Sequence, residues 1–252
     1  MSKLSFGLAV VLVVGAVWLA LRPPVRGVLG SYSTCFEGRS ESQQANALRA
    51  ARALDGTVTV PGGVLSFNKT VGSWTADRGY VKAPVSFSGE LLPAWGGGVC
   101  QTSTTLYNAA LIAGLEIVER HRHLWVPSYV PPGRDAAVAQ FDIDLRLRNP
   151  YPWPVHIEAR LGGDKLGFVV VGRVRGPIAQ VATETRDILA PQQLLHPDDH
   201  LPIGERHILN PGRSGCRVSV YRICLIGKEA GQRELVSQDT YRAMNRIVRV
   251  GW

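Results

Sequence analysis
Gly96-Gly97-Gly98-Val99-Cys100-Gln101-Thr102-Ser103-Thr104-Thr105-Leu106-Tyr107-Asn108-Ala109-Ala110 runs three glycines straight into a cysteine and then into a helical pattern. Thr102, Leu106, Ala109 and Ala113 fall on one stripe at helical spacing, and Gly114 supplies a C-terminal stop. The spacing predicts an amphipathic helix with Cys100 at or just before its first turn. That position has a chemical consequence. Free N–H groups and the positive end of the helix dipole stabilise a thiolate, the nucleophilic form of cysteine. The same N–H groups suit an oxyanion. The glycines remove bulk beside the sulfur, so a substrate backbone can come close. The competing reading is structural, since free cysteine is among the most buried residue types.

Around this stretch lie 252 residues, enough to bury a substantial core. A hydrophobic content of 45% with 19% charged residues excludes wholesale disorder. The 28 basic and 20 acidic residues leave a net charge of +8. That excess suits anionic wall polymers, membranes or nucleic acid. No nucleic-acid motif and no Lys/Arg block occurs, so no nucleic-acid partner is expected and the charge reads as a diffuse solvated surface. Four cysteines, at 35, 100, 216 and 224, are too few for a disulfide scaffold. Cys216 and Cys224 share strand parity with Val218 and Val220 and read as core positions, while a bridge from Cys35 stays open.

Residues 6–21 form an unbroken apolar or glycine run flanked by Lys3 and by Arg22 and Arg26. No small-residue cleavage site follows, so the run reads as an uncleaved single-pass membrane anchor with the bulk of the chain outside the cytoplasm. Ser40-x-x-Gln43 is a capping box opening a helix that Gly56 closes. Residues 57–60 and 64–67 flank Pro61-Gly62-Gly63 and predict a hairpin. Residues 81–87 and 115–118 read as strands. Phe141, Ile143, Leu145 and Leu147 alternate with polar residues, which predicts a half-buried strand over 140–148. Residues 155–161 and 165–171 continue the pattern. Composition shifts near Arg173, and the remainder is turn-rich and strand-like.

The expected organisation is an anchor and linker (1–26), an α+β domain (27–175), a linker (176–195) and a small β-rich domain (196–252). The α+β domain is expected to hold a central antiparallel sheet carrying the cysteine-bearing helix, in a transglutaminase-like or papain-like arrangement.

Candidate chemistry gathers behind the helix. His121 and His123 alternate on an extended segment and so share a face. Asp135 ends a proline-rich turn. Cysteine, histidine and aspartate in this order make a Cys–His–Asp site, with Cys100 the nucleophile, His121 or His123 the base and Asp135 the orienter. Gly97, Gly98, Gln101, Tyr129 and Arg134 are the candidate substrate-binding residues. The bland alternatives are surface histidines and an Asp135 that only caps a turn. A metal site from Cys100, His121 and His123 lacks a paired-cysteine motif, so neither a metal nor another cofactor is expected.

Several motifs recur together here. Gly62-Gly63-Val64-Leu65-Ser66-Phe67-Asn68-Lys69-Thr70-Val71-Gly72 comes first, then Arg78-Gly79-Tyr80, then residues 96–110. Ser128-Tyr129-Val130-Pro131-Pro132-Gly133-Arg134-Asp135-Ala136 closes the series. In this order they resemble the VanW family over roughly residues 30–172. The family is named for an accessory protein of vancomycin-resistance clusters. The resemblance implies a cell-envelope setting and supplies no reaction. Residues 196–252, with Gly204, Gly212, Gly215 and Val250-Gly251, resemble the G-five domain, which implies adhesion or wall-sugar binding. Two functions follow as expectations. One is a thiol hydrolase or acyl transferase acting on peptidoglycan amide bonds. The other is a non-catalytic protein that binds peptidoglycan or another cell-wall polymer.

Overall fold
The computed structural model describes residues 26–87, 90–173, 176–227 and 229–252. The run 6–21, read as a membrane anchor, lies outside them. Among the described residues no helix is long and apolar enough to cross a membrane.

In chain order the elements are β1 (Gly27–Cys35), α1 (Glu41–Leu54), β2 (Val58–Thr59), β3 (Val64–Ser66), α2 (Phe67–Val71), β4 (Lys82–Phe87) and β5 (Glu90–Trp95). Then come α3 (Val99–Ile112), β6 (Glu116–Glu119), β7 (Arg146–Arg148), β8 (Val155–Gly162) and β9 (Lys165–Gly172). The C-terminal part is strand alone: β10 (Ala179–Leu189), β11 (Gln193–Asp198), β12 (Arg206–Asn210), β13 (Gly215–Cys224), β14 (Arg233–Tyr241) and β15 (Arg246–Gly251).

The expected α+β class with one central sheet is not what forms. The described residues are mostly β, 45% strand against 17% helix. Its strands divide among small sheets, β1-β9-β8-β2, β3-β7-β6, β4-β5, β10-β13-β14 and β11-β15-β12. Residues 179–189, within the stretch read as a linker, form β10 and pair with β13.

The capping box forms as its residues dictate. Ser40 Oγ accepts from the Gln43 N–H at 3.3 Å, and Gln43 Oε1 accepts from the Ser40 N–H at 3.0 Å. The expected hairpin over 57–67 does not form. Its turn is present, with Gly63 N–H on Val60 O at 2.9 Å. Its arms part, however, β2 joining β8 and β3 joining β7. Asn149 draws them apart by pairing its backbone with Gly62 and Gly63. The expected strand over 140–148 shrinks to β7. Phe141 takes a positive φ of 79° and is 93% exposed. Asp144 turns inward instead, accepting from Ser66 Oγ and the Asn68 N–H.

α3 departs most from its amphipathic pattern. Val99 and every residue from Gln101 to Leu111 are buried. Leu106, Tyr107 and Leu111 pack into one core with Leu29 of β1, Ala47 and Ala51 of α1, and Leu166 and Phe168 of β9. The helix is enclosed all round, so its Ser, Thr, Asn and Gln side chains turn to protein partners, while the Tyr107 hydroxyl is buried without one among the described residues. Thr102 Oγ1 donates to Ala47 O at 2.9 Å, and Thr105 Oγ1 donates to Gln101 O at 2.7 Å. Those on the remaining side build the site.

Candidate active site
The glycine run places the cysteine. Gly98 caps α3 with φ of 105°, a conformation that side chains disfavour. A Cβ there would stand 2.1 Å from Gln43 O, and one on Gly97 would stand 2.8 Å from Pro84 O. The glycines therefore let the helix start press against α1 and β4. Cys100 becomes the second residue of α3, where backbone N–H groups have no partner inside the helix. It is half-buried, with its thiol 3.4 Å from Val138 O.

The polar side of α3 holds the opposing loop. Ser103 Oγ donates to Ala136 O at 2.6 Å, and Thr104 Oγ1 accepts from the Ala136 N–H at 3.0 Å. Asn108 Nδ2 donates to Arg134 O at 2.7 Å. These bonds fix residues 134–136 along the helix and bring Asp135 to the cysteine end. Asp135 is fully buried. Its Oδ2 accepts from the backbone N–H of His123 at 2.7 Å and lies 2.7 Å from His123 Nδ1. Nδ1 is thus taken, and Nε2 is the nitrogen left to act on Cys100, whose thiol His123 perturbs electrostatically.

The electrostatics follow from this chain of bonds. Burial alone would raise the Cys100 thiol, but the hydrogen bond and charge of His123 outweigh it and hold the thiol below its ordinary value. Burial opposes a charged His123, yet the bonds to Asp135 and Cys100 raise its pKa to about 10. Burial would raise Asp135, and the bond and charge of His123 together with Arg120 bring it below its usual value. The state these shifts favour is thiolate, imidazolium and carboxylate.

A second layer comes from distant sequence. Arg120 Nη2 donates to Asp135 Oδ1 at 3.0 Å, and Nη1 to Asp239 Oδ2 at 2.6 Å. The fully buried Tyr241 donates from its hydroxyl to Asp135 Oδ1 and accepts the Gly133 N–H at 3.0 Å. Sequence reasoning missed Arg120, Asp239 and Tyr241. The one available signal was a charged residue between strand and histidines at 120. Nothing local marked 239 or 241.

The two candidate histidines separate. β6 ends at Glu119, and residue 121 makes only an isolated bridge to Ala137. The regular alternation that would put both on one face is therefore lost. The His121 side chain is 44% exposed and pairs its Nε2 with Glu119 Oε1 at 3.0 Å.

Residues 42–171 match the family model described as VanW like protein. The chain belongs to the VanW family. Within that family it is similar to the uncharacterized protein YoaR of Bacillus subtilis. The two are 44% identical over 139 residues, 55% of this chain and 46% of that protein. It is 30% identical to the Vancomycin B-type resistance protein VanW of Enterococcus faecalis over 132 residues, 50% of this chain and 48% of that one. The chain thus spans about half the length of these VanW-family relatives. Residues 180–252 match the G5 domain. The HP0197-G5 crystal structure is 27% identical and covers 29% of this chain and 99% of its own. Its TM-score of 0.17 carries no argument about the fold.

The VanW signature residues proposed to bind substrate occupy different places. Gly97 and Gly98 serve close packing, as described. The Gln101 amide is buried and donates to Thr34 Oγ1 at 3.0 Å and Cys35 O at 2.9 Å. Arg134 is buried, bonded to Asn108 and lying over the Tyr32 ring at 5.2 Å. Tyr129 is half-buried in the loop before Asp135. Burial and then the charge of Cys100 raise its pKa, so the phenol stays protonated near the sulfur.

Proposed function
We propose that this VanW-family protein is a thiol-dependent hydrolase or acyl transferase of the cell envelope, acting on amide bonds of peptidoglycan. The observation that carries the reading is the 2.7 Å contact between Asp135 Oδ2 and His123 Nδ1, which leaves the other ring nitrogen of His123 to act on Cys100. The chemistry follows from the ion pair. The Cys100 thiolate attacks the amide carbonyl carbon, and the carbonyl electrons move to oxygen beside the positive end of the α3 dipole. As the C–N bond breaks, the His123 imidazolium gives its proton to the departing amine and a thioester remains on Cys100. Water or an amine then attacks the thioester, His123 takes the proton of that nucleophile, and the thiolate leaves. Asp135 fixes the imidazole tautomer throughout.

The envelope setting is part of the same reading. The net charge of +8 suits an anionic wall, and residues 6–21 would hold the chain at the membrane. The G5-matched segment would bind wall polymer. Incubating the full chain with purified peptidoglycan tests this. Release of new amine ends, or incorporation of an added labelled amine into peptidoglycan, by the wild type, lost in C100A and H123A, supports it. Sedimentation with peptidoglycan and neither new ends nor incorporated label would overturn catalysis and favour a non-catalytic wall-binding protein.

A further inference from the structure
Arg39 lies in the loop between β1 and α1. Its guanidinium stands 4.8 Å from the centroid of the Tyr129 ring, and Nη2 donates to Ser128 Oγ at 3.0 Å. Its Nε is buried without a hydrogen-bond partner. Arg213, from the G5-matched segment, grips the same loop, with Nη1 donating to Val126 O at 2.9 Å. Neither guanidinium has a carboxylate within ion-pair distance among the described residues. Burial lowers the Arg39 pKa, and the nearby Arg213 charge lowers it further. Two like charges on one loop, one with an orphaned buried N–H, form a poor arrangement alone and a good one around an anion. The loop is tied to the candidate site, because it runs from His123 to Asp135, whose side chains meet at 2.7 Å and close its two ends together.

We propose that Arg39 and Arg213, with Ser128 and the face of Tyr129, form a subsite that holds a free carboxylate of the acyl-donor peptide beside Cys100. The proposal rests on the reading of Cys100 given above and names its substrate class: a peptide with an unblocked carboxylate close to the amide that is cut. Planar guanidinium groups suit a planar carboxylate, and peptides are the amide substrates that carry one. The subsite also joins distant parts of the chain, since Arg39 precedes the VanW-matched residues 42–171 and Arg213 comes from the G5-matched segment.

The test compares alkylation of Cys100 by iodoacetate, which carries a carboxylate, and by iodoacetamide, which does not. Rates are read for the Cys100 peptide by mass spectrometry on the full chain. R39Q and R213Q should each lower the iodoacetate-to-iodoacetamide ratio by about three- to tenfold. The pH midpoint of iodoacetamide labelling should not move, and R160Q on β8 should behave as wild type. An unchanged ratio in both variants overturns the subsite. An ordinary midpoint in the wild type is a different failure, that of the thiolate itself. Arg213 is exposed, so R213Q keeps the test readable if R39Q folds poorly.

Discussion

The Tyr241 hydroxyl donates a hydrogen bond to the Asp135 carboxylate across 106 residues of chain. The same oxygen accepts the Gly133 N–H, and a Cβ on Gly133 would meet Val220 Cγ2 at 2.5 Å. The C-terminal module is therefore packed onto the turn that carries Asp135. Y241F leaves a buried carboxylate short of one donor and a buried N–H without its acceptor. The expected cost is about 1–3 kcal/mol in urea unfolding. Unchanged stability would mean that the module does not hold this turn.

His123 and His121 differ in what they touch, and their variants should differ accordingly. In H123A the thiol loses the bond and charge that hold it down, and burial then pushes it up. Iodoacetamide labelling of Cys100 at pH 7 should fall by at least about tenfold. H121A removes an exposed pair with Glu119 and should label within about twofold of wild type. Peptide-resolved mass spectrometry reads both, and equal effects would remove the assignment of His123.

Stability against pH carries the same signature, with its sign fixed by linkage. His123, raised to about 10 in the folded chain, contributes fully below its unfolded value of about 6.5 and loses that contribution as pH rises through the folded value. Cys100, lowered in the folded chain, contributes above its unfolded value of about 8.5 and loses that as pH falls through the folded value. Between about 6.5 and 8.5 the two slopes oppose each other in the wild type. C100S removes one of them. Its stability should fall by up to about 1.4 kcal/mol per pH unit above about 6.5. The window ends below that of the wild-type histidine, because Cys100 supplied part of the rise. Urea midpoints at pH 6 to 9 check this, and a flat C100S profile would contradict it.

The glycines give a structural prediction. G98A forces a side chain to φ of 105° and a Cβ to 2.1 Å from Gln43 O. It should cost about 3 kcal/mol or more, read as a large drop in Tm. G163A, at φ of 58° with open space around its Cβ, should cost only about 1 kcal/mol.

Much of the site was legible because its parts are local. The Gly-Gly-Gly-Val-Cys run, the capping box at Ser40 and the turn ending in Asp135 each announce a local geometry. The choice between His121 and His123 was not legible, since it depends on where β6 stops pairing. Thr102 was assigned to an apolar stripe, yet Ser103, Thr104 and Asn108 are what dock the Asp135 loop. A run of hydroxyls is a poor helix surface, and its use appears only when the helix is enclosed. Fold class is hidden for a related reason. Turn signals mark where strands end but not which strands pair, so two arms read as one hairpin joined different sheets. Tyr241 and Arg213 reach their partners through tertiary packing alone.

The most direct measurement is the pH dependence of iodoacetamide alkylation at Cys100 in the intact chain, resolved by peptide mass spectrometry against Cys35, Cys216 and Cys224. The expected Cys100 midpoint lies well below about 8.5 and moves up in H123A. A Cys100 midpoint at or above about 8.5, indifferent to His123, would contradict it.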